Sequence, residues 1–136
     1  MKKIVALKGR ENKGKSETLR ILIQKIREKY PSVSYIPYEK DDKDEKCVFD
    51  NLNGLKIGVE TQGDPGYRQP QSLQDFAQMK CDVIICACRT KGNTVKAIEL
   101  YRNDYEIIYV KKSISKEQFK QVNEADACQI LKEIGL

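Results

Sequence analysis

Ile4-Val5-Ala6-Leu7-Lys8-Gly9-Arg10-Glu11-Asn12-Lys13-Gly14-Lys15-Ser16 decides how the rest of the chain reads. Four apolar residues form a short strand. The eight that follow match Gly-x₄-Gly-Lys-Ser/Thr without a mismatch. Glycines let a backbone wrap closely around an anion, so that amide N–H groups point inward. The helix that follows would offer its N-terminal dipole and free N–H groups to the same anion. Lys15 is placed to neutralise β- and γ-phosphate oxygens, and the Ser16 hydroxyl to ligate Mg²⁺. The candidate nucleotide-binding residues are therefore Gly9, Arg10, Glu11, Asn12, Lys13, Gly14, Lys15, Ser16 and Glu17.

Outward from the loop, Leu19, Leu22, Ile23, Ile26 and Tyr30 recur at helical spacing. They predict an amphipathic helix over Lys15 to Lys29 that ends before Pro31. Val33 to Tyr38 reads as a strand, an edge strand because of Pro37. Glu39 to Lys46 is a charge run. It could be an acidic metal-binding loop, but its interspersed lysines favour a mobile, solvated surface loop. Asn53-Gly54 is a turn signal, and Leu55 to Glu60 the next strand. Thr61 to Pro70, with Gly63-Asp64-Pro65-Gly66, reads as a loop. A helix follows from a cap at Ser72. Val83 to Cys88 is apolar on both faces, as in a central parallel strand. Thr94 to Tyr101 predicts a helix and Tyr105 to Val110 a fifth strand. Ser115-x-x-Gln118 opens a last helix with a capping box, which Asn123-x-x-Asp126 could restart. This alternation predicts one α/β domain over residues 1–136. Its form is a three-layer α/β/α sandwich around a mainly parallel five-stranded sheet. Ligands of such sheets bind beyond the carboxyl ends of the strands, here the loops after Leu7, Glu60, Cys88 and Val110.

The loop and its strand–helix setting resemble the P-loop NTPase superfamily. The resemblance implies an acidic residue at the tip of a strand beside the first. Glu60-Thr61-Gln62-Gly63 looks like the Glu-x-x-Gly segment of the metallochaperone-type GTPase branch. By that likeness Glu60 acts on Mg²⁺ through water, and the Gly63 N–H senses the γ-phosphate. Lys15, Glu60 and Asp64 become the catalytic candidates, and Ser16 and Glu60 the metal candidates. Asp64 is either a water-polarising carboxylate or an ordinary turn residue. Arg68 and Arg89 are arginine-finger candidates. The Asn-Lys-x-Asp segment that reads guanine in the GTPase branch has no counterpart at Lys111-Lys112-Ser113-Ile114 or at Arg89-Thr90-Lys91-Gly92. ATP is therefore the default ligand, with GTP as the alternative. Relatives of the Glu-x-x-Gly type often complete their sites as homodimers.

Composition narrows the function further. The chain has 136 residues, 40% hydrophobic and 33% charged, with a formal net charge of +5. The basic residues alternate with acidic ones, which disfavours nucleic acid as a partner. No apolar run reaches the roughly 18 residues that span a bilayer, and the first residues read as a strand rather than a leader. A cytoplasmic protein is expected. There is no histidine, so Cys–His zinc sites and histidine bases are excluded. Cys86 and Cys88, two apart on a strand, face the same way and read as buried, reduced thiols rather than a metal or redox pair. Three functions share this loop: an Mg²⁺-dependent ATPase, NTPase or nucleotide switch; a small-molecule kinase; and a non-catalytic nucleotide-binding module.

Overall fold

The computed structural model describes residues 2–10, 14–40, 44–63, 68–114 and 119–136. Its elements follow in the order β1 (Lys3–Lys8), α1 (Lys15–Lys29), β2 (Ser34–Lys40), β3 (Glu45–Leu52), β4 (Leu55–Glu60), α2 (Arg68–Gln78), β5 (Val83–Cys88), α3 (Asn93–Glu99), β6 (Glu106–Lys111) and α4 (Phe119–Glu133). Successive side chains of β1 point to opposite faces of the sheet. Val5 and Leu7 meet Leu19, Leu22, Ile23 and Ile26 of α1 and Ala127 and Ile130 of α4. Ile4 and Ala6 meet Leu73 and Phe76 of α2 and Ile98 of α3. Helices thus cover both faces, and β1 and β5 need apolar residues at almost every position because neither of their faces meets water.

The strand order is β2-β3-β4-β5-β1-β6. Strands β4, β5, β1 and β6 run parallel, whereas β3 is antiparallel to both β2 and β4. This overturns the expected sandwich around a mainly parallel five-stranded sheet: the sheet is mixed and has six strands. The added strand is β3, whose first residues, Glu45 and Lys46, belong to the charge run. The run is not a surface loop throughout. Glu39 and Lys40 end β2, and Glu45 and Lys46 are buried at the start of β3. Glu45 accepts a hydrogen bond from the Tyr35 hydroxyl, and Lys46 forms an ion pair with Asp75. Asn53 and Gly54 join β3 to β4 with φ of 52° and 82°. Paired positive φ values are what a two-residue hairpin requires. A connection that short forces antiparallel strands, since a parallel crossover takes a dozen residues or more.

Other differences are smaller. Helix α2 begins at Arg68, before the expected cap at Ser72, and Asn123 lies within the continuous α4 rather than restarting it. The proposed capping box at Ser115–Gln118 lies outside the described residues.

Gly58 in β4 is set by packing: a Cβ there would stand 2.6 Å from the Phe76 ring. Gly58→Ala is expected to lose about 1–3 kcal/mol, read as a lower denaturant midpoint; a loss under about 0.5 kcal/mol would contradict this packing. The cysteines supply a second check. Cys47, Cys81, Cys86 and Cys88 are buried and Cys128 is exposed. Burial pushes the Cys81 and Cys88 thiols up to about 11 and raises those of Cys47 and Cys86 as well. A thiol-reactive disulfide reagent at pH 8 is expected to titrate one of the five thiols rapidly, and all five only after unfolding.

Candidate functional site

The parallel strands bring Lys8, Glu60, Cys88 and Lys111 to one edge of the sheet. There the chain after β1 is tied to its neighbours. The Gly9 N–H donates to the Cys88 carbonyl at 3.1 Å, and the Lys112 N–H to the Lys8 carbonyl at 2.8 Å. Gly9 admits a close approach: a Cβ there would lie 2.9 Å from Lys112 Cβ. Gly14, at the start of α1, has φ +82°, a left-handed conformation that glycine adopts without a Cβ penalty. Both glycines of the motif therefore have a backbone reason to be glycine.

Lys15 is the first residue of α1 and only 7% exposed. Its Nζ donates to the Gly9 carbonyl at 2.7 Å and the Cys88 carbonyl at 2.9 Å. The ammonium thus sits between the ends of β1 and β5. Ser16 Oγ lies 2.7 Å from Asp44 Oδ1 and 3.1 Å from the Thr61 carbonyl oxygen. Thr61 is fully buried. Its hydroxyl donates to the same Asp44 oxygen at 2.9 Å and accepts from the Glu45 N–H at 2.9 Å. Asp44 is therefore the carboxylate held at the Ser16 hydroxyl. Arg10 and Glu17 are exposed beside the site; Glu11, Asn12 and Lys13 lie outside the described residues, as does Asp64.

Glu60 stands elsewhere in the network. Its strand is not beside β1, because β5 lies between them. The carboxylate is 1% exposed. Arg68 grips it in a fork, with Nε 2.9 Å from Oε1 and Nη2 2.8 Å from Oε2. Ser72 Oγ donates to Oε1 at 2.7 Å and the Gln62 N–H to Oε2 at 3.2 Å. An ionised carboxylate offers about four lone-pair sites, and these four donors fill them. Arg68, so held and also paired with Glu39, anchors the start of α2. Gly63 presses on β5: a Cβ there would meet Ala87 Cβ at 2.7 Å. Arg89 follows β5, and its backbone N–H donates to Thr94 Oγ1.

A cleft of about 1260 Å³ opens from Ser16 and Thr61 along α1 to Tyr30, with Arg20, Arg27 and Asp44 on its walls. Just after β6, Asp126 holds Lys112 Nζ at 3.0 Å and the N–H and hydroxyl of Ser113 at 2.8 and 2.7 Å. Sequence reasoning missed Asp44, Thr61 and Asp126. Asp44 sits in a charge run whose spacing resembles any solvated surface, and only the pairing of β3 with β4 carries it to Ser16. Among the described residues no cluster of three acidic, cysteine or histidine side chains could hold a metal alone, and no helix is long and apolar enough to cross a membrane. Compared with known proteins, the chain matches no family model, no curated protein and no solved structure.

The two carboxylates are expected to separate by readout. Glu60→Gln removes the charge that Arg68 is locked onto and is expected to cost about 1–3 kcal/mol of stability. Asp44→Asn, at a partly exposed carboxylate, is expected to leave the unfolding midpoint nearly unchanged. The reverse pattern in denaturation would contradict these two environments.

Proposed function

We infer that this protein binds a nucleoside triphosphate with Mg²⁺ at Gly9–Ser16 and acts as a nucleotide-dependent hydrolase or switch. One observation carries the reading. The Gly-x₄-Gly-Lys-Ser sequence lies between the end of a parallel strand and the start of a helix, with a left-handed glycine at its close and a buried ammonium held on the Gly9 carbonyl. Backbone amides, a helix N-terminus and a fixed cation at one point are what a polyphosphate needs. The resemblance to the P-loop NTPases at this loop supports the same ligand, although the sheet around it is mixed.

The donors at the site suit Mg²⁺, a hard cation that takes oxygen ligands and usually binds one or two carboxylates plus substrate phosphates. Ser16 and Asp44 would hold it, and it would supply charge neutralisation to the phosphates. Glu60, its lone pairs filled, positions Arg68 and the chain after β4. ATP remains the default ligand, since Asp126, the carboxylate packed under the Lys111–Ile114 segment, is committed to Lys112 and Ser113. A cytoplasmic location belongs to the same reading: buried unpaired thiols and a nucleotide ligand both suit a reducing compartment.

A small-molecule kinase is the second reading. The cleft favours it, since it continues from Ser16 far beyond the space that phosphates fill and leaves room for an acceptor beside α1. Phosphate release from Mg·ATP without an acceptor separates the hydrolase from the kinase.

Lys15→Ala is expected to lower Mg·ATP affinity by about 10–100-fold, the scale of a charge-assisted hydrogen bond. Calorimetry checks this, with circular dichroism to confirm that the variant is folded, because its loss also strips a donor from two carbonyls. Equal affinity in a folded variant would overturn the phosphate site.

A further inference from the structure

We propose that Asn123 and Phe119, one turn apart on α4, seat the nucleoside of the nucleotide whose phosphates lie on Gly9–Ser16. The proposal rests on the phosphate reading above and adds to it the half of the ligand that reading leaves unplaced. The core face of α4 runs through Ile134, Ile130, Ala127, Asn123 and Phe119 at intervals of three or four, the spacing of one helix face. Its last two positions reverse the expected pattern. Asn123 is polar yet 1% exposed, and Phe119 is apolar yet 54% exposed.

Both reversals fall at the end of α4 that meets the phosphate loop. Neither Oδ1 nor Nδ2 of Asn123 has a hydrogen-bond partner among the described residues. The two atoms lie 3.0 and 3.3 Å from where a Gly14 Cβ would stand, so the amide forms the wall behind the glycine that closes the loop. An unpaired buried amide costs about 1–3 kcal/mol, and native structures carry few of them. The chemistry of the missing partner follows from the amide itself, which presents one acceptor and two donors. Ionised phosphate oxygens only accept, so an anion would leave Oδ1 unpaired. A base edge or a sugar hydroxyl brings a donor and an acceptor together. The aromatic ring one turn away supplies the flat apolar surface on which a base stacks.

Calorimetric titration of the intact chain with Mg·ATP and with Mg·tripolyphosphate tests the proposal, on the wild type and on Asn123→Ala and Phe119→Ala. The wild type is expected to bind ATP more tightly than tripolyphosphate. Each substitution is expected to weaken ATP by about tenfold or more, the scale of one base-stacking contact, and to leave tripolyphosphate unchanged. Thermal midpoints should not fall, because Phe119 is exposed and the Asn123 amide holds nothing. Equal weakening of both ligands, or of neither, would make these residues structural and overturn the seat. A wild type that binds ATP and tripolyphosphate equally would overturn the seat alone. A wild type that binds neither would overturn the phosphate site together with it.

Discussion

Lys15 is the constraint on which the rim of this sheet depends. A buried ammonium must be hydrogen-bonded where it lies, and this one reaches the carbonyls of Gly9 and Cys88. It thereby ties the start of α1 to the ends of β1 and β5. Gly9 must be small because Lys112 presses on it, and Gly14 must take a left-handed conformation for the chain to enter α1. The packing of α1 on Val5, Leu7 and Ile85 then fixes where the cation sits relative to Ser16. The apolar core and the polar rim are thus two consequences of one strand–loop–helix unit.

A second network extends from that unit toward the antiparallel part of the sheet. Ser16 meets Asp44, Asp44 meets Thr61, and Thr61 pairs with Glu45 through its backbone and its hydroxyl. Glu60 follows the same ladder but turns away from Ser16 to hold Arg68 and Ser72. Two acidic residues at neighbouring strand ends therefore have different environments. One faces a hydroxyl at the mouth of a cleft, and the other is saturated by donors. Lone-pair accounting, rather than proximity in sequence to a familiar segment, separates their roles.

Much of the unit around Lys15 was legible in the sequence because its signals are local. Four apolar residues, a glycine-bounded loop and a helical apolar stripe occupy consecutive positions, and α1 spans Lys15–Lys29 as its spacing predicts. The mixed sheet was not read, although part of its signal was present. Asn53-Gly54 marks a tight hairpin, and Cys47-Val48-Phe49 before it is apolar enough for a strand. The charges of Glu45 and Lys46 concealed that strand, because their burial depends on Tyr35 and Asp75, partners that no local pattern reveals. Asp44 and Asn123 were missed for the same reason: each reaches the motif through tertiary contact alone, Asp44 by a hydrogen bond to Ser16 and Asn123 by packing on Gly14.

The most direct test of the central claim is a backbone amide NMR titration of the protein with Mg·ATP. If the phosphates lie on this loop, the amides of Gly9, Gly14, Lys15 and Ser16 shift saturably, while those of the outer strand β2 stay in place. No saturable shift at those four amides with millimolar nucleotide, or shifts confined to another part of the chain, would contradict the account.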